Sequence, residues 1–268
     1  MMRPTPDVRK LFRQSPVWGA WTSIGHPSIT EAFGTGPAQF LGIDLEHSTI
    51  SQEQAQRLIA AGQAAGLICL PRVASHNGEQ IRRVLDSGAD GVIVPNVSTL
   101  QQIEQIVDWA KYPPVGRRGF GVARAQGYGS QFDAYVTKWN ERSGLIIQIE
   151  SIAAVESIDT LLANEWIDGV MVGPYDLSGS LGIPGQITHA RVTEACRRVI
   201  AACRKHRKAC GTHLVEPTES TVRGALQAGY TFVVLASDVF ILWKWNERMT
   251  TLVAGIGSPK ARCHAVAR

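Results

Sequence analysis

The 268-residue chain contains no apolar run of about eighteen residues, the length a helix needs to cross a bilayer, so no membrane span is expected. Met1 to Gln14 lack the apolar stretch and small-residue cleavage site of an export signal, which makes the cytoplasm the expected compartment. The five cysteines (Cys69, Cys196, Cys203, Cys210, Cys263) are odd in number, widely spread and without a Cys-x-x-Cys pair, which argues against a disulfide framework and a thiolate zinc site. No apolar strand leads into a Gly-x-Gly-x-x-Gly turn, so the common dinucleotide fingerprint is missing. Net charge is only +4, and the basic residues gather over Arg191 to Lys208 and Lys260 to Arg268. Without interleaved aromatics these read as solvated faces, and no nucleic-acid partner is expected.

What is present is a repeat of apolar strands and helices. Strands are expected over residues 17–24, 40–47, 67–73, 91–97, 145–150, 169–173, 209–214 and 232–236, with helices among them over 51–65, 78–87, 100–112, 153–162, 191–206 and 219–228. Ser51 with Gln54 is a capping-box candidate, and Gly66, Gly88 and Gly229 stop three helices. Eight such units in about 250 residues suit an α/β fold, a (β/α)8 TIM barrel, with a doubly wound open sheet as competitor. One domain over 1–268 is expected, with an N-terminal arm (1–14) and a basic tail (258–268) open to disorder. Pro113 to Ser143 has no apolar period and reads equally as a surface Ω-loop or an anion-contacting lid.

In a barrel of this kind chemistry sits at the carboxyl ends of the strands. Those ends read Asp44-Leu45-Glu46-His47, Pro71-Arg72, Gln148-Ile149-Glu150, Gly173-Pro174-Tyr175-Asp176 and Gly211-Thr212-His213-Leu214. Asp176 stands among residues, Gly173 to Gly182, too small to be expected to hold a helix. Each polar residue alone is more simply structural, but five strand ends with polar groups at one rim point to a site. Glu150 and Asp176, with no thiolate nearby, favour a hard divalent ion, Mg²⁺ or Mn²⁺ with Co²⁺ a third candidate, bound with open positions. An α-keto acid would chelate there, Arg72 would lie against its oxygens, and the ion would stabilise the enolate formed as the adjacent C–C bond breaks.

These residues resemble the HpcH/HpaI family of metal-dependent pyruvate aldolases, from about Val17 to Leu252. The likeness rests on the strand ends above together with Asp86-Ser87-Gly88-Ala89, Val94-Pro95 and Lys111-Tyr112-Pro113-Pro114-Val115-Gly116-Arg117-Arg118-Gly119. It implies Glu150 and Asp176 as metal ligands, Arg72 and Gln148 on pyruvate, and backbone N–H groups near Gly173 and Tyr175 on its carboxylate. It further implies His47, oriented by Asp86, as the group handling the aldol proton, with Asp44 and Glu46 outside the metal shell. A homohexamer is implied in which the last helix, about Phe240 to Val253, packs on a neighbour. His213 and Tyr175 depart from the family's usual residues and would border the aldehyde half. The expected reaction is cleavage of a 4-hydroxy-2-oxo acid to pyruvate and an aldehyde. The alternatives are an acyl-CoA lyase or condensing enzyme of the citrate-lyase type, and a non-catalytic keto-acid-binding module. A Schiff-base route is disfavoured because Lys111 and Lys138 fall outside the strands.

Overall fold

The computed structural model describes residues 5–256; the expected basic tail, with Cys263, lies outside the described residues. Eight parallel strands close into a barrel in sequence order: β1 (Val17–Thr22), β2 (Phe40–Asp44), β3 (Ile68–Arg72), β4 (Gly91–Val94), β5 (Gly144–Ile149), β6 (Gly169–Val172), β7 (Ala209–Leu214) and β8 (Phe232–Ser237). β8 pairs back onto β1, which rules out the open sheet. Parallel neighbours need a crossover, and helices supply it. In chain order these are α1 (Val8–Phe12), α2 (Pro27–Gly34), α3 (Gln52–Ala64), α4 (Gly78–Asp86), α5 (Leu100–Ala110), α6 (Phe132–Arg142), α7 (Ile152–Glu156), α8 (Ile158–Leu162), α9 (Pro174–Ser180), α10 (Ala190–His206), α11 (Glu219–Ala228) and α12 (Asp238–Ile256). Among the described residues no helix is long and apolar enough to cross a membrane.

Strand alternation divides the core in two. Leu145, Ile147 and Ile149 face the helices, while Ile146 joins Trp21, Phe40, Leu70, Ile93, Met171 and Phe232 inside the barrel. Part of the expected N-terminal arm is helix α1, which belongs to that inner cluster: Phe12 meets Phe40 and Phe232 at ring-centroid distances of 5.5 and 5.1 Å. It plugs the end where the strands begin.

The α3 capping box forms as the Ser51–Gln54 spacing implies, and Gly66, Gly88 and Gly229 take positive φ at their helix ends. The expected helix over 153–162 is two, α7 and α8, flanking Ser157. The stretch over 113–143 is neither Ω-loop nor lid to its own site. It holds a 3-10 turn, Arg124–Gly129, and α6, whose buried face is Tyr135 and Trp139; aromatic and polar residues hid the apolar period. Trp139 Nε1 donates to Ala110 O at 2.8 Å and Arg118 Nη2 to Asp86 Oδ1 at 2.7 Å, at the C-terminal ends of α5 and α4. A helix returning from a strand tip ends at the strand-start rim, so this segment lies far from the mouth.

Candidate active site

Register explains the first half of the site. Asp44 and Arg72 are Cα partners at the tips of β2 and β3. Arg72 Nη2 donates to Asp44 Oδ1 and Oδ2 at 2.9 and 2.8 Å, and Nε adds a bond at 3.1 Å. Arg72 Nη1 also lies 3.0 Å from Glu46 Oε2, an ion pair without hydrogen-bond alignment. Asp44 Oδ1 further accepts the N–H groups of Glu46 and His47, both at 3.1 Å, which turns the chain off β2 three residues earlier than the apolar pattern suggests. Burial works against ionising Asp44, yet Arg72 and these N–H donors outweigh it and hold the carboxyl below its usual range. Below the guanidinium lies Trp21, whose ring is 5.1 Å from Arg72 Cζ. Trp21 fits because Gly42 on β2 has no Cβ to meet its ring. No sequence signal singled Trp21 out; its role depends on the β1–β2 pairing.

The second half is formed by β5 and β6. Gln148 pairs with Met171 and Ile149 with Val172, so Glu150, one residue past β5, arrives beside Gly173. A Cβ on Gly173 would lie 2.9 Å from Glu150 Cγ, 3.3 Å from Glu150 Oε1 and 3.0 Å from Asp176 Oδ2. The two acids therefore face one another across a position only glycine leaves open. Gly173 has a different part from the one expected: its N–H is given to Ile149 O at 3.1 Å and is not free for a carboxylate. Nor does the segment after it avoid a helix. Pro174 opens α9, Leu177 and Ser178 are buried, and Ser178 Oγ donates to Tyr175 O and accepts from Gly185 N, placing Asp176 in the first turn. Tyr175 is 59% exposed at the rim.

Burial pushes Glu150 up to about 7; the Asn96 N–H opposes this, Asp176 and Glu46 reinforce it, and Arg72 lowers it again. Glu46 is likewise raised, mainly by burial. Four acids, Asp44, Glu46, Glu150 and Asp176, thus gather about a single cation, Arg72. Among the described residues, five buried side-chain polar atoms have no hydrogen-bond partner, and Glu46 Oε2, Gln148 Oε1 and His213 Nε2 are three of them, all at this mouth. His213 lies between Trp21 and Phe240, at 5.5 and 5.6 Å. Burial, and then Arg72, push it down to about 4, so the imidazole is neutral.

No three His, Cys, Asp or Glu side chains gather as a closed metal cage among the described residues. Two carboxylates across Gly173 and an unpartnered amide oxygen nevertheless fit a hard divalent ion that keeps positions for water and substrate. One expected pair is not brought together. His47 leaves the tip of β2, 71% exposed, with Nε2 3.8 Å from Glu46 Oε2. Asp86 closes α4 at the opposite rim, where Arg118 claims it. Asp86 cannot orient His47 of its own chain, because helix and strand run antiparallel.

A 5-keto-4-deoxy-D-glucarate aldolase of Escherichia coli is 34% identical over 234 residues, 86% of this chain and 90% of that protein. A hydroxypyruvate/pyruvate aldolase of Roseobacter denitrificans is 32% identical over 236 residues, covering 87% and 91%. The crystal structure of an HpcH/HpaI aldolase/citrate lyase family protein from Burkholderia cenocepacia superposes with a TM-score of 0.87 at 28% identity, over 93% of this chain and all of that one. The model of the HpcH/HpaI aldolase/citrate lyase family matches residues 18–244, and the chain belongs to that family of lyases.

Proposed function

We propose that the protein is a divalent-metal-dependent aldolase that cleaves a 4-hydroxy-2-oxo acid into pyruvate and an aldehyde and runs the reverse addition. The observation that carries this reading is the pair of acids across Gly173, left without a cation of their own beside an Arg72 already held by Asp44 and Glu46. Held by Glu150 and Asp176, Mg²⁺, Mn²⁺ or Co²⁺ would supply Lewis-acid stabilisation of the enolate charge. Arg72, fixed before substrate arrives, presents a second positive charge at no cost of reorganisation during the reaction. Gln148, buried in the barrel wall, would donate its amide N–H to a keto-acid oxygen. His47 stands at the exposed edge, where it takes the aldol hydroxyl proton in cleavage and returns it in addition, with Glu46 as its nearest acid. Tyr175 and His213 would border the aldehyde, and the Tyr175 N–H, in the first turn of α9, would bind the pyruvate carboxylate. Lys111 is no Schiff-base candidate despite burial that pushes it down to about 7, because it donates to Ser143 at the strand-start rim.

The proposal includes a cytoplasmic homohexamer. Helix α12 leaves Ile241, Leu242, Trp243 and Trp245 about half exposed, at 47, 50, 51 and 54%, an apolar face that supports cover by a neighbouring subunit. The test is an assay of pyruvate release and aldol addition with succinic semialdehyde, glycolaldehyde, lactaldehyde and tartronate semialdehyde, with Mn²⁺, with EDTA, and with Glu150→Ala. Turnover that needs the metal and Glu150 is expected. Full activity in EDTA together with inactivation by borohydride, or cleavage of CoA thioesters without pyruvate release, would overturn it. Pyruvate binding without exchange of its methyl protons in D₂O would leave a binding module instead.

A further inference from the structure

Of the two oxygens of Glu150, Oε1 lies with Asp176 Oδ2 about the open side of Gly173. The other, Oε2, accepts the backbone N–H of Asn96 at 2.8 Å. Asn96 follows β4 with φ +50, a left-handed conformation that asparagine tolerates far better than branched residues. The positive φ relates the Pro95–Asn96 peptide, whose N–H reaches Glu150, to the following peptide, whose Val97 N–H reaches Gln148, so both can bond across to β5. The turn is pinned on both sides: His76 Nε2 donates to Pro95 O at 2.7 Å, and Val97 N donates to Gln148 O at 3.3 Å. Since a carbonyl only accepts, the proton of His76 is on Nε2. The Asn96 side chain is exposed, so the residue's contribution is its backbone.

We propose that Asn96 is a positioning residue for the metal ligand Glu150: its left-handed backbone, braced by His76, holds Oε2 and so directs Oε1 toward Asp176. The inference rests on the reading of Glu150 and Asp176 as ligands. An N–H bonded to one carboxylate oxygen restricts the rotation of the group and commits the other oxygen to the ion. Without it, Glu150 would have to be ordered at the moment of binding. The residue identity then matters only through the backbone conformation it allows.

The test is Mn²⁺ binding itself, followed through the electron paramagnetic resonance signal of free Mn²⁺ during titration of the purified protein. Asn96→Val, which disfavours positive φ, is expected to weaken binding by about 10- to 100-fold, the range typical of lost outer-shell support. Asn96→Gly, which permits the conformation, should stay within about threefold of the parent. His76→Leu, which releases Pro95, should fall between them, and it carries the test if Asn96→Val does not fold. Parent-like Mn²⁺ affinity in a folded Asn96→Val, equal losses in the Val and Gly variants, or parent-like affinity in His76→Leu would each overturn the proposal. If the unmodified protein binds no Mn²⁺, it is the metal reading of the site that fails instead.

Discussion

The two rims of the barrel treat buried charge in opposite ways. Where the strands begin, Arg118 is 1% exposed with its guanidinium 4.7 Å from the Tyr112 ring, 5.6 Å from Tyr135 and 4.7 Å from Trp139, and its Nη atoms reach Asp86 and Tyr135. Nearby, Lys111 Nζ donates to Asn140 O, Ser143 O and Ser143 Oγ, and Arg9 pairs with Asp168. Where the strands end, four acids gather about Arg72 and buried polar atoms stand without partners. Charge at the first rim is enclosed by rings, carbonyls and a carboxylate, with one buried donor, Arg118 Nε, left without a partner among the described residues; charge at the second has three such atoms, Glu46 Oε2, Gln148 Oε1 and His213 Nε2, and awaits a ligand.

The largest test of that contrast is a pair of variants. Glu150→Ala or Asp176→Ala should lower kcat by about 10²- to 10³-fold, the scale of a lost electrostatic stabiliser, while the metal-free Tm stays level or rises because repulsion is relieved. Arg118→Met should do the reverse. Breaking a buried ion pair costs about 3–5 kcal/mol in denaturant melts, and Mn²⁺ affinity should be unchanged. A stability loss in Glu150→Ala matching that of Arg118→Met would erase the distinction.

Acid and base pushed to the same value sharpen it further. Glu150 is raised to about 7, so between pH 4.5 and 7 the folded protein holds a proton the unfolded chain has released, and metal-free stability falls as pH rises. Lys111 is lowered to about 7, so between pH 7 and 10.5 the unfolded chain holds the extra proton and stability rises with pH. Thermal melts across this range should show the acid-side slope flattened by Mn²⁺ or by Glu150→Gln, and the alkaline slope indifferent to both.

The smallest effect is expected at His213. Lowered to about 4, it loses stability as pH falls from 6.5 toward 4, when only the unfolded chain takes up the proton. His213→Leu should remove that slope and shift kcat/KM among the aldehydes by about tenfold or less, the worth of one side chain in a pocket wall. An unchanged ranking of aldehydes would take His213 out of the substrate wall.

Much of this was legible in the residues. Alternating apolar runs located all eight strands, and the acids at their tips were recognisable because period-two alternation carries Gln148 and Glu150 to one face. The two missed helices have separate causes. Helix α9 was hidden because Gly and Ser score poorly as helix formers, and the fold overrides them with Pro174 at the first position and Leu177 in the core. Helix α6 was hidden because its buried face is Tyr135 and Trp139.

The sequence by itself determined the barrel, since β/α alternation with parallel strands leaves few other closures, and it determined which rim carries the acids. Only the tertiary structure decided the partners. The family resemblance implied Asp86 and His47 as a pair, yet the antiparallel return of α4 sets them at opposite ends, while Arg118, buried among rings, takes the carboxylate. Asn96 and Glu150 lie 54 positions apart and meet through a backbone N–H, which no side-chain pattern can announce. Local preference is a property of neighbours in sequence; a hydrogen bond between β4 and β5 exists only after the barrel has closed.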